Sequence, residues 1–150
     1  MDDDTTLINT LLRPAHSWDV DDAIRGVASD DFQRAPKLWH VLPDLRKYIK
    51  EARTLVLFGK TVHSLFPDDF RPTLESAVCA GDTFSVYLLA RERESRWHTL
   101  EEAASMAGYS GGSSDPHRAL GQALATRAVW RWLCDQVRTM TASPPKSGVS

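Results

Sequence analysis

The chain has 150 residues, of which 42% are hydrophobic and 25% charged, with a net charge of −2. This composition is typical of a globular protein and excludes a wholly disordered chain or a collagen-like repeat. Only two cysteines are present, Cys79 and Cys134, so a disulfide-stabilised scaffold is excluded as well. No apolar run approaches the ~20 residues that span a bilayer. The acidic start also differs from the basic start of a signal peptide, so we expect a cytoplasmic protein without membrane contacts.

Charge is unevenly distributed along the chain. Residues 1–31 contain eight acidic and two basic residues, and the remaining 119 residues carry a net charge of +4. A mildly basic body is compatible with a nucleic-acid surface but does not require one.

The first part of the chain has weak secondary-structure signals. Thr5 to Leu12 (TTLINTLL) is β-branched and aliphatic and predicts a strand that ends at Arg13-Pro14. Residues 15–35 contain several turn formers, so we expect an irregular segment with one short helix at 20–25.

A helix and a buried strand follow. Five apolar residues at helical spacing predict the helix, in which Pro43 either forms a kink or marks the first turn of the longer part. Thr54 to Phe58 (TLVLF), bounded by Gly59, is typical of a buried strand. Residues 59–76 mix apolar and polar residues and predict no regular element. The residues of the helical face are Leu38, Val41, Leu42, Leu45 and Ile49.

Three helices are predicted in the second half. Asp82 is a candidate N-cap for a helix that runs to about Glu94. Thr99 and Glu102 have the spacing of a capping box, and Gly108 stands where such a helix would end.

The last predicted helix is long. Asp115 and Pro116 are typical of its first positions, and it is expected to end near Met140. Residues 141–150 are expected to be a disordered tail. The order of strand, helix, strand and three helices predicts an α/β fold in a single domain over 1–140.

The last helix resembles a known family. His117 to Thr126 (HRALGQALAT) is similar to the closing motif of the DEDDh-type 3′–5′ exonucleases, a proofreading-subunit family with an RNase H-like fold. Thr54 to Phe58 resembles the family's fourth strand. Other segments resemble the family in the same order, namely Leu12 to Pro14, Ile24 to Val27, Ala35-Pro36, Val41 to Pro43, Asp82-Thr83, Tyr87 to Ala90 and Trp97 to Leu100.

The resemblance fails at the catalytic carboxylates. The family holds two metal ions with four carboxylates, of which two come from an Asp-x-Glu on the first strand, and this chain begins at what resembles the third strand. His63 stands where the third carboxylate is expected, and Gln122 replaces the fourth. Of the family's catalytic set, only His117 is matched.

This loss predicts an inactive enzyme with a truncated RNase H-like fold. Mg²⁺ and Mn²⁺ need charged oxygen ligands, and two such ions ~4 Å apart need several of them. A neutral amide at Gln122 and an imidazole at His63 do not supply that charge. We therefore expect no cofactor, with Mg²⁺ or Mn²⁺ only if another chain completes the site. Asp68, Asp69 and Asp82 are spare carboxylates for a less favoured rescue.

Several residues are candidates for binding nucleic acid, although each also has a plain structural interpretation. Arg127, Arg131 and Arg138 form one stripe along the last helix, which fits either contacts with phosphates or an ordinary solvated face. Trp130 and Trp132 fit either base stacking or core packing. A transition-metal site of His63, His98 and His117 is a further, weaker alternative. The candidates retained for nucleic acid are Lys60, Trp97, Arg118, Arg127 and Arg131.

Three functions stay open at this point. The first is an inactive exonuclease-like module that binds single-stranded nucleic acid or a partner. The second is a divergent exonuclease, or one completed by another chain. The third is an accessory subunit or inhibitor that binds only protein. Because the missing strands would expose edges, a homodimer or a partner subunit is expected to cover them.

Overall fold

The computed structural model describes residues 6–8, 10, 12, 29–59, 68–93, 96–111 and 119–142. These belong to two compact units, Met1–Arg53 and Thr54–Ser150. The architecture is mixed α/β, mostly helical, with a two-stranded parallel sheet. A single domain over 1–140 stays a prediction. Among the described residues, no helix is both long and apolar enough to cross a membrane.

The first unit contains two helices, α1 (Ser29–Arg34) and α2 (Leu38–Glu51). The prediction of α2 from apolar spacing is confirmed, and Pro43 lies inside the helix. The irregular segment predicted over 15–35 is wrong at its end, where α1 forms. Acidic residues in the first turn of α1 and Arg34 in its last turn complement the helix dipole.

The strand predicted at residues 5–12 is wrong for the part that is described, because residues 6–8, 10 and 12 belong to no strand. β-branched residues favour extended backbone only weakly, so such a stretch does not by itself form a regular strand. The short helix predicted at 20–25 lies outside the described residues.

The second unit contains the sheet. Strand β1 (Val56–Leu57) pairs in parallel with β2 (Val78–Cys79), with Val56 opposite Val78. The backbone N–H of Val78 donates to the carbonyl of Leu55 at 2.9 Å. The strand predicted over 54–58 is confirmed at its centre, although Val56 and Leu57 are partly buried rather than buried, and β2 was not predicted. A 3₁₀ turn (Asp68–Phe70) and helix α3 (Arg71–Glu75) lie between the strands.

Helix α4 (Ala80–Glu92) follows β2 without a loop. Its N-cap is Cys79, whose Sγ accepts a hydrogen bond from the backbone N–H of Asp82 at 3.4 Å. The prediction of Asp82 as N-cap is therefore wrong. Asp82 lies in the first turn instead, where its charge favours the helix dipole.

Helix α5 (Leu100–Met106) begins with the predicted capping box. Thr99 accepts from the N–H of Glu102 at 3.2 Å, and the Glu102 carboxylate accepts from the N–H of Thr99 at 2.9 Å. Gly108 follows the helix with a φ of +77°, as its predicted position requires. Helix α6 (Ala119–Ala142) confirms the long last helix. The disordered tail predicted over 141–150 is wrong at Thr141 and Ala142, which form the end of α6, and Asp115, Pro116 and residues 143–150 lie outside the described part.

The core of the second unit lies between α4, α5 and α6. Its largest members are fully buried, and burying each such side chain stabilises the fold by about 1.5–3 kcal/mol. Trp130 and Trp132 pack against this core, as one of their two interpretations predicts. His98 is 1% exposed and meets the ring of Phe84 edge-on at 5.4 Å. The buried apolar cluster comprises Phe84, Leu88, Ala103, Ala104, Ala125, Val129 and Leu133.

Candidate functional site

A cleft of about 500 Å³ lies where the beginning of α5 meets the beginning of α6. Three small residues, Ala104, Gly121 and Ala125, line it and allow the two helices to approach closely. Gln122, one residue after Gly121, is exposed and contributes to the lining. The remaining lining residues are Thr99, Leu100, Glu101, Tyr109, Ser110 and Gly111.

The cleft combines neutral hydrogen-bonding groups with one carboxylate. Gln122 offers an amide that both donates and accepts, and Tyr109 and Ser110 offer hydroxyls. Glu101 is the single acidic residue of the described lining, which includes no basic residue. This chemistry suits an uncharged polar group better than a phosphate.

The described lining does not fit a two-metal centre. One carboxylate and one neutral amide carry too little negative charge to hold two divalent ions close together. Across the described ranges, moreover, no three His, Cys, Asp or Glu side chains are grouped so that they can hold a metal ion.

The capping box fixes one side of this cleft. The backbone N–H of Thr99, and secondly the guanidinium of Arg96 at 2.9 Å, lower the pKa of Glu102 from 4.5 to about 2. Glu102 is therefore ionised at neutral pH and holds the beginning of α5 in place. Thr99 and Leu100, which line the cleft, are positioned by these bonds.

A second, smaller groove of about 240 Å³ lies beside α4. Val86, Leu89 and Trp97 line it, and their exposed fractions are 66%, 52% and 56%. Arg96 lies at the same groove and pairs with Glu102. The second unit thus presents an apolar patch, formed by Val86, Leu89 and Trp97, apart from the cleft.

Cys79 is structural in this arrangement. Its Sγ donates to the carbonyl of Phe58 at 3.7 Å and accepts from Asp82. Burial is the largest cause that raises the pKa of its thiol. The thiol therefore stays protonated, which does not favour a nucleophile.

The structure separates the predicted site residues. Gln122 lines the cleft, whereas Trp97 lies at the apolar patch. Arg127 and Arg131 are one turn apart on α6, are partly buried, and line neither the cleft nor the groove. Lys60, His63, His117 and Arg118 lie outside the described residues.

Arg138, the third arginine of the predicted stripe, pairs with Asp135 at 3.1 Å. Both side chains are exposed. A pair of this kind contributes little to stability, so Arg138 is compatible with the solvated-face interpretation.

Sequence reasoning missed Glu101 and Tyr109. Glu101 precedes the capping glutamate, and Tyr109 follows the Gly108 that ends α5. The signal that was available is the set of small residues in α5 and α6, since alanine and glycine at facing positions allow close helix contact. Only the fold shows that these positions face each other.

Comparison of the chain with protein-family models, with curated proteins and with solved structures finds no match. The exonuclease resemblance therefore rests on the motifs themselves.

Proposed function

We propose that this chain is a catalytically inactive relative of the DEDDh exonucleases, with a reduced RNase H-like fold, that binds the end of single-stranded nucleic acid without cleaving it. The observation that carries the proposal is the position of Gln122. It lines the 500 Å³ cleft and replaces the carboxylate that the resemblance expects there.

The order of the elements supports this proposal. Thr54 to Phe58, which contains β1, resembles the family's fourth strand, and the segment from Asp82 to Ala90, within α4, resembles the helix that follows the family's fifth strand. Strand β2 lies immediately before α4 and pairs with β1. A strand at this point of the chain is also what the resemblance implies, which supports the proposal.

The chemistry of the cleft supports binding without hydrolysis. Its volume lies in the range of small-molecule sites, and its mostly neutral polar lining suits the base of a terminal nucleotide, with the phosphate outside the cleft. The amide of Gln122 matches the donors and acceptors of a base edge. With Glu101 as the sole carboxylate of the described lining, a metal-activated water lacks the ligands that the family uses.

Two measurements test the proposal on the full chain. Calorimetric titration with Mg²⁺ and Mn²⁺ should show no stoichiometric binding at millimolar metal. A fluorescent oligonucleotide with a free 3′ end should bind and stay intact. Gln122→Leu should weaken that binding, whereas Ser105→Ala, on α5 outside the cleft lining, should leave it unchanged.

Other outcomes would contradict the proposal. Nucleotide release that EDTA abolishes would support the divergent exonuclease instead. If the folded protein does not bind the oligonucleotide at low salt, the proposed nucleic-acid function is contradicted.

The apolar patch favours a second candidate, a protein-interaction module that pairs with a second copy of the chain. Three large apolar side chains, Val86, Leu89 and Trp97, are more than half exposed around one groove. Contiguous exposed apolar surface of this kind commonly marks an interface.

Light scattering across a concentration series tests the second candidate. The wild type should show the mass of a dimer, and Leu89→Lys should show that of a monomer. Met106→Lys is the matched control, because Met106 is an exposed apolar residue on α5 that lines neither the groove nor the cleft. A monomeric wild type at all concentrations contradicts self-association.

A further inference from the structure

The positive charge of the chain is concentrated in one short stretch. Residues 32–53 contain six basic and two acidic residues, whereas residues 54–150 contain ten of each. The unit that carries the Gln122 cleft is therefore neutral as a whole. The basic excess belongs to α2 and its flanks, which no part of the exonuclease resemblance assigns to a site.

Two of the basic residues of α2, Arg46 and Lys50, lie on a side of the helix apart from its acidic residues, whereas Lys47 projects only about 40° from Glu51. At about 100° per residue, Trp39, Arg46 and Lys50 project within about 40° of one another. Asp44 and Glu51 project about 120–140° away from that direction. These side chains are all exposed. We call the side formed by Lys37, Trp39, Arg46 and Lys50 the Trp39 edge.

Trp39 gives this edge an aromatic surface. Its side chain is 58% exposed, although it is one of the largest apolar groups of the chain. The ammonium of Lys37 lies 4.7 Å from the ring centroid, so a cation is already placed against the indole. From Trp39 to Lys50 the helix rises about 16 Å, which is long enough for several nucleotides of one strand.

We propose that the Trp39 edge binds single-stranded nucleic acid, with a base stacked on Trp39 and phosphates on Lys37, Arg46 and Lys50. Stacking on an aromatic side chain combined with backbone contacts to cations is the common means of binding single strands without sequence preference. This binding requires no strand end and no catalytic residue, so it goes beyond the function proposed for the cleft.

An anionic membrane surface fits α2 less well. Binding at a membrane surface requires the apolar face of an amphipathic helix to enter the lipid. That face is partly buried in the folded chain, whereas the Trp39 edge is largely exposed. The residues of the partly buried face are Leu38, Val41, Leu42, Leu45 and Ile49.

A closed circular single-stranded DNA distinguishes the Trp39 edge from the cleft, because it has no end. The full chain should bind the circle, with a slope of log K against log salt of about −2 for three phosphate contacts. Binding of the linear strand alone would overturn the Trp39 edge and leave the cleft proposal standing. Binding of the circle without any preference for a free 3′ end would support the edge and contradict the cleft.

Three variants then locate the binding of the circle. Trp39→Ala should raise Kd at least fivefold, since loss of one stacked base has an effect of that order. The double variant Arg46→Gln, Lys50→Gln should reduce the salt slope by about 1.4. Arg91→Gln, an exposed arginine on α4, is the matched control and should not change the slope.

Two results would overturn the proposal. One is unchanged affinity for the circle in Trp39→Ala together with an unchanged slope in the double variant. The other is tighter binding to phosphatidylserine vesicles than to the DNA circle at equal salt. Circular dichroism of each variant confirms that the helices are retained.

Discussion

The carbonyl oxygen of Phe58 lies 2.6 Å from the point that a Cβ atom on Gly81 would occupy. The aromatic ring of Trp97 approaches the same point to 3.2 Å. Gly81 is buried in the first turn of α4. A side chain of any size at this position would push α4 away from the end of β1, and so disturb the junction of the sheet with the helices.

Gly81→Ala should therefore destabilise the protein. Helix propensity alone predicts a gain of about 0.5–1 kcal/mol for alanine over glycine. The clash is with backbone, which cannot rotate away, so we expect a net loss of about 1–3 kcal/mol. Urea unfolding followed by circular dichroism measures the difference.

Gly108→Ala separates this clash from backbone strain. A Cβ on Gly108 meets nothing within 4 Å, but its φ of +77° disfavours alanine. We expect a loss of about 1 kcal/mol here. A stabilised Gly81→Ala protein would contradict the close approach of Phe58.

The capping box should make stability depend on acidic pH. Because the pKa of Glu102 is lowered to about 2, its ionised form is favoured by folding. Its contribution is complete above about pH 4.5 and is lost as the pH falls towards 2. Glu102→Gln should therefore have a lower urea midpoint than the wild type at pH 6, and the difference between the two midpoints should shrink as the pH falls from 4.5 towards 2.

Glu101→Gln serves as the control for this prediction. Glu101 is the neighbouring carboxylate in the same helix turn, but it is not part of the capping box. The change in urea midpoint that Glu101→Gln causes should vary less with pH than the change that Glu102→Gln causes. An equal midpoint difference between wild type and Glu102→Gln at every pH tested would show that the ion is not involved.

Two adjacent leucines on α4 should respond very differently to truncation. Leu88 is fully buried between the helices of the second unit, whereas Leu89 is 52% exposed at the apolar patch. Leu88→Ala should cost about 2–5 kcal/mol because it leaves a cavity. Leu89→Ala should cost well under half of that. Similar losses for both variants would mean that the patch is covered, as it would be in a dimer.

Restoring one carboxylate should not restore a metal site. Gln122→Asp places an acid where the resemblance expects one, beside Glu101 in the same cleft. Two carboxylates remain too few for two divalent ions. Calorimetry with Mn²⁺ should show no stoichiometric binding of two ions to this variant. A clear two-ion isotherm would place further ligands around the cleft.

The elements that the sequence predicts well are those with local signals. Apolar residues at helical spacing identify α2, and the Thr99 and Glu102 pair identifies the beginning of α5. Strand β2 could not be predicted from the sequence, because its two residues are too few to show a periodicity. The N-cap of α4, Cys79, could not be predicted either, because a thiol is an uncommon hydrogen-bond acceptor at this position. Asp82 is the more usual capping residue and therefore gives the stronger sequence signal.

Only part of the candidate site could be predicted from the sequence, because local signals do not show which residues tertiary packing brings together. Gln122 was identified from its motif, but Glu101 and Tyr109 join it through the packing of α5 on α6. Trp39 belongs to no motif, and the sequence identifies its helix only by the apolar face. Trp39 is distinguished by the exposure of its side chain and by the direction in which the neighbouring charged side chains project, and both depend on the fold.

The position of α6 has a consequence for synthesis of the chain on the ribosome. Val129 and Leu133 of α6 complete the apolar cluster around Phe84 and Leu88. Until those residues leave the exit tunnel, only β1 and α5 are available to pack against α4, and the apolar cluster is incomplete. The second unit thus cannot complete its core before α6 has been synthesised, and a nascent chain arrested before α6 would expose part of the buried face of α4 to chaperones.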